Sequence, residues 1–534
     1  MASITFSRKE LEKSIGKLTK EMEEKIAMFG TPVDSLTNEE IVVEIMPNRP
    51  DLLSIRGFTR AFLHFLGKKQ KTEYNAEKPG KNYKLIIEPS VKDIRPFTAC
   101  CIVKNLKLTN EKIKEIIDIQ EKLHLTLGRN RKKFAIGIYP MEKIKFPVYY
   151  LALESEKIKF VPLEMDKEMT GREVLQKHSV GREYSHLLEG KKKFPIFIDS
   201  NKNILSMPPI INSHLTGKIT DKTKEVFVEC SGFDFNILSK TLNILVSALT
   251  DMGGKIFSIE MHYGNKKIIS PNLIEQKTQL SIENTNKLLG LQLKEAEIKN
   301  LLEKMGHNYV KGIVYSPAYR IDIMHEVDLI EDIAIAYSYD KFKAKLPEIS
   351  TIGEENLTEI KKKKIAEILI GLGLLEVSSL HLTTKEILKK LGIKNFIEVE
   401  KSRTDYCVLR QSLLAQLLKI LSENTTSEYP QKIFELGRVF EKKDNKTEEK
   451  EKLAIASCHE KANFTEIKQV FDYLMRMLNI DYKLEAEDKD EFIQGRCAKI
   501  IINSKPVGYI GEINPKILQN FGLSFPVALG EIEI

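Results

Sequence analysis

Apolar positions along the chain fall into several distinct rhythms. Behind Ser7 and Glu10, three residues apart as in a capping box, Leu11, Ile15 and Leu18 recur at helical spacing, so a helix is predicted to open the chain. A second short helix is expected to end at Gly30. Residues 41–46, IVVEIM, read as a strand that Pro47-Asn48-Arg49-Pro50 breaks. Asp51 is then placed to cap a helix carrying Leu52, Ile55, Phe58, Phe62 and Phe65 as far as Gly67. Residues 67–84 are polar, lysine-rich and contain Pro-Gly, the composition of a linker.

From residue 84 to 264 the rhythm shortens. The runs LIIEP, TACCIV, FAIGIY, VYYLAL, FPIFID and EVFVEC are strand candidates by their β-branched and aromatic content, and residues 237–249 look helical. This block is predicted to be mixed α/β. Residues 268–342 change again, to short helices ending in Gly290 and Gly306, a brief strand, and a helix after Arg320. The remainder mixes strands and helices, with one charge-alternating segment, 442–452, expected to be a solvated loop tip. No repeat of solenoid period is visible.

Composition bounds the picture. At 534 residues the chain has room for about three to five domains. Hydrophobic residues make up 42% and charged residues 30%, as in ordinary globular cores. A net charge of +8 spread over this length excludes a histone-like polyanion binder but allows local basic surfaces for RNA. Six cysteines without a CxxC pair, two of them the adjacent Cys100 and Cys101, point to reduced thiols and a cytoplasmic setting. The first residues lack the apolar core of a signal peptide. The longest apolar run, near residues 368–375, is far short of the ~20 residues that span a bilayer, so no membrane role is expected.

Several common catalytic motifs are absent: no GxxxxGK[ST] phosphate loop, no HExxH and no GxSxG elbow. The sharpest constellation is YRIDIMHEVDLIED. Asp328, Glu331 and Asp332 stand at i, i+3 and i+4 on one helix face, and Asp322 precedes the helix, able to fold back toward that face. Clustered carboxylates repel unless a cation or arginines neutralise them, and hard oxygen ligands suit Mg²⁺. Acids favoured near a helix N-terminus by its dipole are the competing explanation.

A second anomaly is the run from Asp199 through Ser206-Met207-Pro208-Pro209-Ile210-Ile211-Asn212-Ser213. Consecutive prolines stiffen it and remove donors, so it is predicted either to line a polar pocket with Ser206 and Asn212 or to make a rigid turn at a sheet edge. Of three basic patches, Lys191 to Lys193 and Lys361 to Lys364 read as solvated faces. Only Arg129-Asn130-Arg131-Lys132-Lys133, pinned between Gly128 and a strand, is placed to touch a phosphate backbone.

Taken in order, these segments resemble the β subunit of phenylalanyl-tRNA synthetase of the archaeal and eukaryotic type. EIMPNRPDLLSIRGFTRAF is similar to the family's N-terminal signature. QEKLHLTLGRNRKKFAIGIYP and DSNKNILSMPPIINS resemble its editing domain, and YRIDIMHEVDLIEDIAIAYSYDKF its metal-binding domain. CVLRQSLLAQLLKILSEN, IFELGRVF and VGYIGEINPKIL resemble its last domain, so the likeness runs through essentially the whole chain.

The resemblance implies an α/β and α+β multidomain chain. An N-terminal α/β domain with linker would occupy 1–83 and a mixed α/β editing domain 84–266. A small winged-helix-like domain carrying the acids would follow at 267–345. A catalytic-like class II domain of antiparallel sheet and helices, stripped of catalytic motifs, would occupy 346–534. It implies an α2β2 heterotetramer in which ATP and phenylalanine are used on the α subunit, while this chain binds tRNA(Phe) and edits. Magnesium would sit at Asp322, Asp328, Glu331 and Asp332.

The implied editing pocket holds Ser206, Asn212, Glu229 and Ser231, with Arg129, Arg131 and Lys132 toward tRNA. Cys230-Ser231-Gly232-Phe233-Asp234 stands where the family often has Thr-Gly-Thr-Asp, a departure that sets Phe233 at the pocket wall. Such a site answers a physical need. An apolar pocket for phenylalanine rejects an added hydroxyl by only about a hundredfold, whereas a site that hydrogen-bonds the phenol separates the two by ~10⁴–10⁵. Two other functions compete: a non-editing RNA-binding scaffold with the same fold, and a free-standing deacylase. Co-purification with an α chain and hydrolysis of tyrosyl-tRNA(Phe) by this chain alone discriminate among them.

Overall fold

A computed structural model describes residues 2–68, 73–80, 82–348, 352–400, 402–444 and 446–534. Residues 69–72 and 81 of the predicted linker lie outside the described residues, as does Asn445 in the charge-alternating segment. The chain divides into two units, Met1–Leu346 and Pro347–Ile534.

The first unit starts with a strand rather than a helix. Ala2–Ser7 pairs antiparallel with Glu40–Ile45, which pairs in turn with Val33–Leu36. Ile4 and Phe6 alternate inward, as do Ile41, Val43 and Ile45. The predicted helix follows as Arg8–Ile15, with Ser7 Oγ accepting from the Glu10 N–H at 3.4 Å. Asp51 does not cap the next helix, Ile55–Phe65. Its carboxylate is buried against Arg49, with both bonds at 2.9 Å, and Ser54 caps instead by accepting from the Gly57 N–H at 3.0 Å. The apolar face of that helix buries Phe58 and Phe62, stacked at 5.7 Å and closed over by Phe6 and Phe29.

All six predicted strand runs between 84 and 264 form strands, and they sort into two sheets. One has five strands in the order Ala76–Glu77, Lys255–Phe257, Phe97–Lys104, Val226–Gly232, Phe134–Pro140. The other has seven: Ile211–Asn212, Ile204–Met207, Lys193–Ile198, Val148–Glu154, Lys84–Ile87, Ile259–Tyr263, Lys266–Ser270. Helices Asn110–Leu125 and Phe235–Asp251 pack on the five-stranded sheet, the second capped by Asp234. Strand Val226–Gly232 is buried on both faces. Val226, Val228 and Cys230 join the core under the helices, while Phe227 packs with Leu85, Tyr139, Tyr150 and Phe197 from the space between the sheets. The two-residue period therefore turns Glu229 and Ser231 toward the second sheet as well.

Beyond the sheets, Gln276–Gln279, Ile313–Ser316 and Asn308–Val310 make a small antiparallel sheet. It is accompanied by helices Ile282–Leu289, Glu295–Lys304 and Glu326–Tyr337, the first ending in left-handed Gly290 at φ 65°.

The second unit is built on a seven-stranded sheet ordered Leu375–Glu376, Gln431–Lys443, Lys446–Cys458, Val527–Glu533, Lys505–Ile513, Phe492–Ile502, Lys483–Ala486. Only the first pair is parallel. Leu417, Leu418 and Phe521 cover one face, and Ile365, Leu369, Phe471 and Leu474 the other. The charge-alternating segment, expected to be a loop, extends the long hairpin almost to its turn. Its charges pair across the ladder, Arg438 with Glu449 at 2.5 Å and Lys450 with Glu441 at 3.0 Å. Among the described residues no helix is long and apolar enough to cross a membrane.

Candidate functional site

A cavity of about 510 Å³ opens where edge strand Phe134–Pro140 of one sheet approaches edge strand Ile211–Asn212 of the other and its neighbour Ile204–Met207. Helix Asn110–Leu125 closes a third side with Ile113, Ile116 and Ile117. Ile136, Ile138, Ile210, Ile211 and Ile219 make most of the wall apolar. Pro208-Pro209 is a turn linking the edge strand to its neighbour, and it also lines the cavity, so both readings of that segment hold at once.

Glu229 is the most deeply buried carboxyl in the lining, which also holds Gln120, Glu121, His124, Ser206 and Asn212. It is 1% exposed; its Oε1 lies 3.1 Å from the Tyr139 hydroxyl, and its Oε2 is buried with no hydrogen-bond partner. The Tyr139 hydroxyl also lies 2.7 Å from Ser206 Oγ. Burial pushes the Glu229 carboxyl up to about 8, against the opposing pull of Tyr139 and Arg95. Tyr139 donating to Glu229 Oε1 and accepting in turn from the Ser206 hydroxyl satisfies this chain of three with one hydrogen per bond. Gly137 stands opposite Glu229 in the strand register; a Cβ there would collide with the Tyr139 hydroxyl and come within 2.5 Å of Glu229 Oε1.

The basic loop has two halves. Arg129, Asn130 and Arg131 are three successive left-handed residues, with φ of 49°, 52° and 61°, a conformation costing roughly 1–2 kcal/mol per residue. The Arg131 side chain turns inward and holds the loop. It donates to the Pro209 and Ile210 carbonyls at 3.3 and 2.8 Å and to Glu121 at 3.0 Å, and lies over the Tyr184 ring at 4.4 Å. It is a brace rather than a free phosphate contact, whereas Arg129 and Lys132 are exposed. On the adjoining helix turn, His124 Nε2 accepts from the Ile136 N–H at 2.8 Å, which leaves its proton on Nδ1, 3.3 Å from Glu121. Burial holds its imidazole below the usual range.

The acidic constellation resolves differently from its spacing. Arg320, fully buried, donates to Asp322 at 2.9 and 2.8 Å and to Asp332 at 2.6 Å, and His307 Nε2 is 2.7 Å from Asp332. Asp328 Oδ2 accepts from the Met324 and His325 N–H groups at 2.7 and 2.8 Å, closing the start of helix Glu326–Tyr337. Glu331 is exposed. The four acids line one cavity of about 640 Å³, but a guanidinium stands between two of them and a third accepts at the helix start, so they are not all free as oxygen ligands. Among the described residues no three ligand-type side chains are grouped to hold a metal.

Three family models cover most of the chain: the B3/4 domain at residues 102–246, the tRNA synthetase B5 domain at 278–339, and the phenylalanyl tRNA synthetase beta chain CLM domain at 343–534. The phenylalanine–tRNA ligase β subunit of Methanocaldococcus jannaschii is 40% identical over 553 residues, covering all of both chains. That of Thermococcus onnurineus is 37% identical over 564 residues, covering 100% of this chain and 98% of its own. The chain belongs to the phenylalanine–tRNA ligase β-subunit family. A crystal structure of an N-terminal fragment of the phenylalanyl-tRNA synthetase β subunit from Pyrococcus horikoshii, 38% identical, superposes with a TM-score of 0.60 over 63% of this chain and 99% of the fragment.

Of the residues that likeness to the β-subunit family singles out, Ser206, Asn212 and Glu229 line one cavity. Ser231 is fully buried beyond Glu229 on the same strand face and does not line the cavity, although its hydroxyl adds to the pull that opposes burial at Glu229. Phe233, expected at the wall, is 53% exposed over Arg95 and lines nothing there. Tyr139, His124, Gln120 and Gly137 were not visible as site residues. Only the pairing register brings Gly137 beside Glu229, and nothing in the FAIGIY run announces its partner.

Proposed function

We propose that this chain is the β subunit of a phenylalanine–tRNA ligase, works with an α subunit in an α2β2 complex, binds tRNA(Phe), and hydrolyses mischarged tyrosyl-tRNA(Phe) in the cavity at Glu229. Aminoacylation, with its ATP and phenylalanine, belongs to α, and the setting is the cytoplasm. Support for the domain roles comes from the small sheet with three helices, read as winged-helix-like, and from the largely antiparallel seven-stranded sheet of the second unit, read as class II-like.

One observation carries the editing assignment: a buried carboxyl with an unpartnered oxygen in the lining of a cavity whose walls are largely isoleucine, with Ser206 and Asn212 among its polar groups. Burying such a group unpaired costs ~1–3 kcal/mol, which a ligand's polar group can recover. The isoleucine walls suit an aromatic ring, and a neutral Glu229 can both donate to and accept from its phenol. Asn212 and the Ser206 hydroxyl orient the ester and its water. Water adds to the ester carbonyl, the ester C–O bond breaks, and the tRNA terminal hydroxyl leaves with a proton. Positioning, rather than a dedicated nucleophile, drives this step. Arg129 and Lys132 are exposed basic groups available to the acceptor end.

The test is hydrolysis of tyrosyl-tRNA(Phe) by the α/β complex carrying Glu229→Ala or Asn212→Ala. A loss of about tenfold or more is expected, with phenylalanine charging unchanged. Editing at the wild-type rate by both variants would place the pocket elsewhere.

A further inference from the structure

The base of the cavity already binds one phenol, supplied by the chain itself. Tyr139 is fully buried, its ring stacked on Phe227 at a centroid distance of 5.8 Å, and its hydroxyl lies 3.1 Å from Glu229 Oε1 and 2.7 Å from Ser206 Oγ. The approach exists because position 137, directly across the ladder from Glu229, has no side chain. The other carboxyl oxygen, Oε2, is buried in the same place with no partner. A carboxyl group thus stands with one oxygen occupied by an internal phenol and one vacant.

We propose that Tyr139 is a specificity-determining positioning residue: by occupying Oε1 of Glu229 with its own phenol, it fixes the carboxyl plane and leaves Oε2 as the single place for the phenol of the substrate. This rests on the editing reading above and adds the element that makes the pocket read a hydroxyl rather than merely admit a ring. A carboxyl free to rotate would pair with water or Ser206 whichever amino acid was bound. One held by Tyr139 keeps Oε2 unpaired unless the bound ring brings its own hydroxyl, so phenylalanyl-tRNA leaves the penalty uncollected. The charged and titratable groups facing Glu229 are Arg95 from before strand Phe97–Lys104, Cys100 on that strand, Tyr150 from the opposite sheet and Cys230 beside it. None of these donates a hydrogen bond to Oε2.

The experiment compares hydrolysis of tyrosyl-tRNA(Phe) and phenylalanyl-tRNA(Phe) by the α/β complex across pH for wild type, Tyr139→Phe and Glu229→Ala. Tyr139→Phe is expected to lower the tyrosyl-to-phenylalanyl rate ratio by about tenfold or more. It should also move the alkaline limb of tyrosyl hydrolysis to higher pH, because the lost hydrogen bond favoured the ionised carboxyl. A structural role alone would lower both rates together and leave the limb in place. Should Tyr139→Phe fail to fold, 3-fluorotyrosine at position 139 keeps the volume and strengthens the donor, and the limb should then move to lower pH. Unchanged selectivity and pH limb in a Tyr139 variant, with Glu229→Ala still defective, overturn this inference alone. Wild-type editing by Glu229→Ala removes the reading beneath it.

Discussion

Nη2 of Arg320 donates to Oδ2 of Asp332 at 2.6 Å, with both side chains at most 5% exposed. The same guanidinium holds Asp322, and His307 approaches Asp332 from the other side. An acidic cluster that by spacing calls for a cation has one built into the chain, twelve residues before Asp332.

Replacing Arg320 by alanine should therefore destabilise the first unit strongly, by ~3–5 kcal/mol, because two buried carboxylates lose their counter-charge. Denaturant unfolding measures this. Millimolar magnesium is expected to leave the wild-type melting temperature where it is; a clear rise would mean that a metal competes for these acids after all.

Although burial pushes Asp332 up, Arg320 and then His307 hold its carboxyl well below the usual range. A depressed folded value gives stability that is present above the unfolded value, 3.8, and is lost as pH falls below it. Asp332→Asn should be less stable than wild type at pH 7 and should lose much of that acid limb. Parallel acid melts of the two proteins would reveal the opposite.

Glu229 shifts the other way. With a folded value near 8 against 4.5 unfolded, its contribution is most favourable below pH 4.5 and declines as pH rises toward 8. Glu229→Gln, which cannot ionise, should gain stability relative to wild type across that window. A difference independent of pH between 5 and 8 would count against a neutral buried acid.

Gly137→Ala places a methyl where the Tyr139 hydroxyl and Glu229 Oε1 now meet. Overpacking of this kind costs ~1–3 kcal/mol, and editing should fall while phenylalanine charging on α is kept. Retained editing in a folded variant would show that the Tyr139–Glu229 contact is dispensable.

Arg131 and its neighbours should separate cleanly. Arg131→Ala removes the brace on Pro209 and Ile210 and is expected to reduce editing with little change in tRNA(Phe) affinity. Arg129→Ala and Lys132→Ala should weaken tRNA binding and each lower the salt slope by about one. Equal salt slopes for all three would contradict the division.

Much of this was legible in the residues themselves. Runs such as EVFVEC and FAIGIY announce strands because β-branched and aromatic side chains fit a pleated, buried surface, and alternation alone places Glu229 on the same face as Phe227. The order of signature segments identified the family. The initial strand Ala2–Ser7 carries no local signal beyond the cap at Ser7, because its pairing partner, Glu40–Ile45, lies more than thirty residues away. Asp51 likewise had the right type and position for a cap, yet Arg49 claimed it once both were buried.

Local chemistry, then, determined the elements, the faces and the candidate side chains, because periodicity and capping act over a few residues. Which group each polar atom meets was decided only by tertiary structure. Spacing put Asp328, Glu331 and Asp332 on one face, but burial turns Arg320, from the start of the same run, and His307, from before a strand of the small sheet, onto Asp332. Tyr139 meets Glu229 across ninety residues through a strand register no local pattern encodes. Pairing register and burial are set by segments distant in sequence, and they also fix whether a buried carboxyl is charged beside a guanidinium or neutral beside a phenol.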